Sequence, residues 1–324
     1  MADHHINSEA IENYILSNPF KGKPENLYNA MNYIMQLGGK RMRPQLMLLS
    51  YLAVKNEVNN SAFNVALALE TFHNFSLVHD DIMDNAPIRR GKKTVHEEWN
   101  IPTAILVGDN LLIKCYELIM DTDFENKIPL MKEFTKMASL VCDGQQLDMN
   151  MPDKEFVTEG EYLNMIELKT AVLPACALKM GAMAAGANEK ECQLFYNFGL
   201  NLGMAFQLQD DYLDAFGLES QIGKQVGGDI LENKKTVLFI HALNHLSSDS
   251  KDELLNWYDN KLNLEDKIQK VKELFEEAGS RTYLLNLKAS YEVKALEFLS
   301  SITMNQKVKI EFDNLFGFLK SRAN

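Results

Sequence analysis

The stretch ETFHNFSLVHDDIMD, running from Glu70 to Asp84, decides how this chain folds. It is apolar on one side and ends in three carboxylates. Read as a helix, Asp80 and Asp84 are four residues apart and share one face about a turn apart. Like charges at that spacing repel by about 0.2–0.5 kcal/mol. Carboxylates set among buried apolar side chains cost more unless something compensates. A hard divalent cation compensates, as does a pair of cations clamping a polyphosphate. The pentad then recurs as Asp210-Asp211-Tyr212-Leu213-Asp214. A doubled pattern of this kind calls for metal on two facing helices.

Outward from these motifs, nearly every segment repeats with helical period, and no strand alternation extends over six residues. Helices are expected near 8–17, 25–36, 43–55, 62–84, 103–120, 128–149, 159–186, 188–216, 234–247, 250–260, 264–278, 281–299 and 304–321. Pro174 lies inside one of them and should kink it. Gly38-Gly39 ends one helix and Pro44 opens the next. Pro87 stops the helix carrying the first pentad, and the loop Gly217–Gly228 follows the second. There is no Pro/Ser-rich linker, low-complexity tract or 20–50-residue repeat. The expected fold class is therefore all-α, with residues 1–324 forming a single helical domain. The 130-residue offset between Asp80 and Asp210 is what an internal duplication would leave.

The 324 residues allow a large core, and 46% hydrophobic with 24% charged residues is ordinary for a globular protein. A net charge of −12 gives no global pull toward nucleic acid, so positive contacts to an anionic ligand must be local. Cys115, Cys142, Cys176 and Cys192 lack CxxC or zinc spacing and read as free thiols in a reducing cytoplasm. The start, MADHHINSEA, has no basic or apolar region of a signal peptide. No apolar run reaches about 18 residues, so no membrane span is expected. The longest candidate, 171–187, contains Pro174 and Lys179.

Cations cluster beside the acids. Arg89-Arg90-Gly91-Lys92-Lys93 follows the first pentad, and metal-binding acids next to arginine forks suit a diphosphate. Alone, such a loop reads as solvated surface. In GGKRMRP, Lys40, Arg41 and Arg43 sit on a glycine turn entering a helix N-terminus, which also favours anions. Phe206-Gln207-Leu208-Gln209 precedes the second pentad. Lys224, Gly227-Gly228-Asp229 and Lys234-Lys235 follow it, on a loop that could close over a phosphate. Lys169-Thr170 lies in an apolar helix one turn before Pro174. Lys169 either snorkels or serves a ligand, and Pro174 frees the Thr170 carbonyl. Gln145 and Asp148 form a supporting polar pair. Glu70-x-x-His73 matches half of a di-iron motif, but it occurs once and Asp-rich pentads prefer Mg²⁺.

In this order, GGKRMRP, ETFHNFSLVHDDIMDNAPIRRG, KT and FQLQDDYLD with GK…GGD…NK resemble the motifs of trans-isoprenyl diphosphate synthases, the polyprenyl synthetase family, over about residues 38–235. The resemblance implies an all-helical bundle around a deep central cavity, a homodimer, and Mg²⁺-dependent condensation of isopentenyl diphosphate with an allylic diphosphate. It implies Asp80, Asp84 and Asp210 as Mg²⁺ ligands, three ions per site, with Asp81, Asp211 and Asp214 beside them. Arg89, Lys169 and Lys224 would grip the allylic diphosphate. Lys40, Arg43, His73 and Arg90 would bind isopentenyl diphosphate. Thr170 and Gln207 would face the allylic cation, and Lys234 would lie on the closing loop. The tail, from Phe318 to Asn324, is only partly basic, a departure from relatives whose basic tail covers the second site.

Chain length in this family depends on cavity depth below the first Asp. At 1.5 Å per residue, Phe75 lies about 7 Å and Phe72 about 12 Å up the helix from Asp80. Both also suit core packing. An aromatic residue five before Asp80 and no insertion in the pentad resemble short-chain enzymes, and Ser76 is small where many farnesyl synthases carry a second aromatic. Geranylgeranyl diphosphate is the expected product, with farnesyl diphosphate as the alternative. A terpene cyclase would carry a different second motif and no need for GGKRMRP. A non-catalytic partner subunit would show eroded motifs.

Overall fold

The structure, a computed structural model, describes residues 8–217, 226–259 and 263–321, with side chains to residue 317. It is helical nearly throughout, as the periodicity requires. In order, the helices are α1 (Ser8–Ser17), α2 (Glu25–Gln36), α3 (Met42–Lys55), α4 (Asn60–Met83), α5 (Val95–Glu98), α6 (Ile101–Met120), α7 (Lys127–Asn150), α8 (Glu159–Ile166), α9 (Val172–Ala184), α10 (Glu189–Phe216), α11 (Gly228–Leu231), α12 (Val237–His245), α13 (Ser248–Asp259), α14 (Leu264–Glu277), α15 (Ser280–Ser300) and α16 (Gln306–Ser321). The chain divides into two compact units.

The first unit comprises residues 1–138, 176–196 and 303–308. Its axis is α4, capped at the start by the Asn59 side chain, which accepts from the Ala62 N–H at 2.9 Å. Ala62, Val65, Leu69, Phe72 and Val78 are buried along it, and α3 and α6 pack on its sides. Asn100 caps α6 in the same way, accepting from Thr103 N–H at 2.8 Å. Between α4 and α5 the chain forms a two-stranded hairpin that the sequence pattern did not reveal. Strand β1 (Ile88–Arg89) pairs antiparallel with β2 (Lys92–Lys93). Arg90 (φ 52) and Gly91 (φ 74) make its turn with both central residues left-handed, the geometry that a two-residue hairpin favours.

The second unit comprises residues 139–175, 197–302 and 309–324. Its core gathers Tyr162, Met165 and Ile166, Met204 and Leu208, Val237 to Ile240, Leu254, Val271, Phe275 and Leu284. Thr158 and Glu161 close a capping box at the start of α8. The single helix expected over 159–186 is interrupted. Residues Glu167–Ala171 form a π turn, three residues before Pro174. The missing proline N–H removes an α-type bond, and the wider turn redistributes the ladder there. The segment 234–247 likewise yields the shorter α12, preceded by α11.

Candidate active site

In the first unit the two basic loops are joined. Gly38 (φ +75) and Gly39 (φ +134) take conformations that side chains avoid. The Arg90 guanidinium donates to the Gly38 carbonyl, and a Cβ on Gly39 would stand 3.0 Å from its Cζ. Arg41, left-handed at φ 48 and 2% exposed, turns into the protein. It donates to Glu12 at 2.7 Å, Glu70 at 2.6 Å and the Met35 carbonyl at 2.6 Å. Glu70 is thereby committed to an ion pair, which removes the di-iron alternative. Lys40 stays exposed and Arg43 half-buried. Burial, then the charges of Arg43, Arg90, Arg89 and Arg41, hold His73 well below the usual histidine range. These guanidiniums therefore favour the neutral form of the His73 imidazole.

At the end of α4, Asp80 is partly exposed and Asp84 exposed, while Asp81 is 1% exposed. Arg89 Nε donates to both Asp81 oxygens, at 2.8 and 2.9 Å, and its Nη2 reaches Asp81 at 2.7 Å and Asp80 at 3.5 Å. Burial raises the Asp81 pKa, against the pull of Arg89. Asp81 thus fixes Arg89. Further up α4, Phe72 is wholly buried and packs on Phe75 and Phe134, with centroids 5.3 and 5.5 Å apart. Phe75, 8% exposed, also meets the His79 ring at 4.9 Å. The Ser76 hydroxyl donates back to the His73 carbonyl at 2.8 Å.

In the second unit the π turn presses on α7. A Cβ on Gly144 would lie 2.2 Å from Lys169 N, so glycine is what allows the approach. Lys169 Nζ donates to Asp148 at 2.5 Å. Thr170 Oγ1 donates to Gln207 Oε1 at 3.0 Å, Gln207 Nε2 donates to Asp211 at 3.0 Å, and the Tyr162 hydroxyl donates to the other Asp211 oxygen. Burial, with Asp229 adding, pushes Asp211 up to about 7, while Tyr162 and Gln207 act the other way. Asp214, buried, accepts from the Asp229 N–H at 2.9 Å and so shapes the start of α11. Asp210 is half-buried. Lys234 pairs with Asp229 and Glu232 at 3.0 and 2.9 Å. Lys235 instead donates to the carbonyls of Met151, Pro152 and Lys154. Lys224 and the tail from Arg322 lie outside the described residues.

Among the described residues, no three His, Cys, Asp or Glu side chains gather to hold a metal unaided. A Mg²⁺ ion takes only one or two protein carboxylates and completes its shell with water and substrate phosphate. Asp80, Asp84, Asp210 and Asp214 offer oxygen donors only, as that ion requires. Sequence reasoning grouped Arg41 with Lys40 and Arg43 as an anion-facing cation, where the structure buries it against Glu12 and Glu70, and it missed the parts played by Tyr162 and Gly144. No local pattern marks any of them, because each acts on a residue distant in the chain.

Residues 24–277 match the family described as polyprenyl synthetase. The chain is 40% identical over 255 residues to a short chain isoprenyl diphosphate synthase of Methanocaldococcus jannaschii, covering 78% of this chain and 76% of that protein. A crystal structure of geranylgeranyl pyrophosphate synthase superposes with a TM-score of 0.92 at 41% identity, covering 98% and 99% of the two chains. A polyprenyl synthase from Caulobacter crescentus, complexed with calcium and isoprenyl diphosphate, matches with a TM-score of 0.85 at 26% identity over 98% and 94%.

Proposed function

Because the chain belongs to the polyprenyl synthetase family, we propose that it is a trans-isoprenyl diphosphate synthase. It joins isopentenyl diphosphate head-to-tail to an allylic diphosphate, releases diphosphate, and makes the C20 product geranylgeranyl diphosphate. The observation that carries this reading is the cluster of cations around His73, in which Arg90 reaches from the loop after the first acidic motif to the Gly38 carbonyl of the GGKRMRP turn. It provides an anion site besides the acidic motifs, which a cyclase does not need. The likeness at 41% identity to a geranylgeranyl pyrophosphate synthase supports the product.

Lys40, Arg43, His73 and Arg90 hold the diphosphate of isopentenyl diphosphate. Arg89, kept in place by Asp81, grips the allylic diphosphate with Lys169 and Lys224. Asp80, Asp84 and Asp210 are the metal ligands, with Asp214 beside them, for three Mg²⁺ ions. Bound magnesium supplies the positive charge that stabilises the departing pyrophosphate. The Thr170 carbonyl and the Gln207 side-chain carbonyl turn their dipoles toward the allylic cation. Apolar walls exclude water from it. The allylic C–O bond breaks first, its electron pair leaving with the diphosphate, and the double bond of isopentenyl diphosphate then forms the new C–C bond to the cation. The proton then lost goes to the released diphosphate, since no side chain here is an evident base. Phe75, backed by Phe72, forms the cavity floor, and small Ser76 leaves above it the depth that a second aromatic there would take up.

The whole chain acts as one catalytic domain and as a homodimer. Support for the dimer comes from Ile105, Leu106, Ile113 and Met120, which lie along α6 at 41–57% exposure. A cytoplasmic setting fits the four free thiols, three of them buried. No described helix is long and apolar enough to cross a membrane. Labelled isopentenyl diphosphate offered with dimethylallyl, geranyl or farnesyl diphosphate, followed by product chromatography, tests the reading. A C20 diphosphate supports it, and unconsumed isopentenyl diphosphate refutes it.

A further inference from the structure

Gln209 stands directly before Asp210 on α10 and is 3% exposed. Its neighbours on the same helix are engaged: Gln207 with Thr170 and Asp211, and Asp211 with Tyr162. Gln209 is different, because neither its Oε1 nor its Nε2 meets a hydrogen-bonding partner among the described residues. A buried amide unsatisfied at both ends needs an explanation, and an ordered water is the usual one. Gln209 lines a cavity of about 20 Å³. The other walls are Leu202, Ala205 and Phe206 of α10, Lys288 and Glu292 of α15, and Phe316 of α16.

The cavity is neither dry in character nor large. Lys288 is 8% exposed, and its Nζ lies 3.3 Å from Glu292 Oε1, one turn on. An ammonium has three donors and a carboxylate about four acceptor positions, so this pair keeps capacity for another partner. The volume suffices for one water, and the walls offer the two to four polar partners that a buried water requires.

We propose that this chamber holds a single ordered water bridging the Gln209 amide to the Lys288–Glu292 pair, which makes Gln209 a positioning residue for Asp210. The bridge ties α10 to α15 at the residue before the second acidic motif. It resists rotation of α10, and rotation there would swing the Asp210 carboxylate off its ion. Phe316 closes the chamber from α16. The inference rests on the reading of Asp210 as a metal ligand.

Two measurements test it. In a high-resolution crystal structure of the wild-type chain, a water is expected within hydrogen-bond distance of the Gln209 amide and of Lys288 Nζ or Glu292. In calorimetric titration of Mg²⁺ with inorganic pyrophosphate, Gln209→Met should weaken ion binding by about tenfold, the loss typical when a partner behind a metal ligand is removed. Lys288→Met should do the same, and the double variant should be no worse than either, because both act through one water. A dry chamber overturns the inference, as does a folded Gln209→Met variant with wild-type Mg²⁺ binding. If Gln209→Met does not fold, the crystallographic water decides. Should wild-type protein fail to consume isopentenyl diphosphate, the functional reading falls. Should it consume the substrate over a dry chamber, only the present inference does.

Discussion

At Lys40 and Arg41, two adjacent cations meet different surroundings. Arg41 is buried against Glu12 and Glu70, whereas Lys40 is exposed. Removing one partner of a buried ion pair strands the other, at about 3–5 kcal/mol. Arg41→Met should therefore lower stability by about that amount in urea denaturation. Lys40→Met should leave stability within about 0.5 kcal/mol while raising KM for isopentenyl diphosphate. Equal destabilisation by both variants would contradict the assignment. The sequence presents Lys40, Arg41 and Arg43 as equals on one glycine turn. What separates them is the left-handed backbone of Arg41 and carboxylates 29 residues away on either side. The pentads behave likewise: spacing finds all six aspartates, but Arg89 and Tyr162 decide that Asp81 and Asp211 face inward partners. Phe75→Ala is expected to lengthen the product, and a fixed product distribution would exclude Phe75 as the floor. Phe72→Ala, by contrast, should cost about 3–5 kcal/mol as a cavity in a packed aromatic cluster.

Among the elements, the π turn at Glu167–Ala171 connects most directly to chemistry. It carries Lys169 and Thr170 and rests on Gly144. Gly144→Ala would push a methyl to 2.2 Å from Lys169 N. Overpacking of this kind costs about 1–3 kcal/mol, and here the displaced element holds the Lys169–Asp148 and Thr170–Gln207 contacts. We expect a lower melting temperature and a kcat loss of at least about tenfold, read by thermal scanning and steady-state kinetics. Unchanged kcat would show that the turn need not sit where it does. Long amphipathic helices such as α4, α6, α7 and α10 were legible because period and caps agree over many turns. Pro174 signalled a disturbance, but the π turn that forms and its close approach to Gly144, 25 residues earlier, have no local pattern to read. The hairpin at 88–93 escaped because two-residue strands have no period to read.

For the molecule as a whole, the neutral pocket histidine makes stability depend on pH. His73 has a folded pKa below the ordinary value. Below about pH 6.5 the unfolded chain takes up a proton there that the folded chain does not. Stability should then fall with acidification by about 1.4 kcal/mol per pH unit from this group, until the pH reaches the depressed folded value. His73→Gln should flatten that slope just below about pH 6.5 in denaturant titrations, and an unaltered slope would mean that His73 is not held neutral. The all-helical architecture was legible from period, since no strand alternation in the sequence extends over six residues. The central claim is that two acidic motifs and a separate basic pocket make one condensing enzyme. Its most direct test is the fate of labelled isopentenyl diphosphate mixed with farnesyl diphosphate and Mg²⁺. The account predicts a C20 diphosphate, abolished by EDTA and by Asp80→Asn or Asp210→Asn. Isopentenyl diphosphate recovered intact while the allylic diphosphate is cyclised or hydrolysed would contradict it.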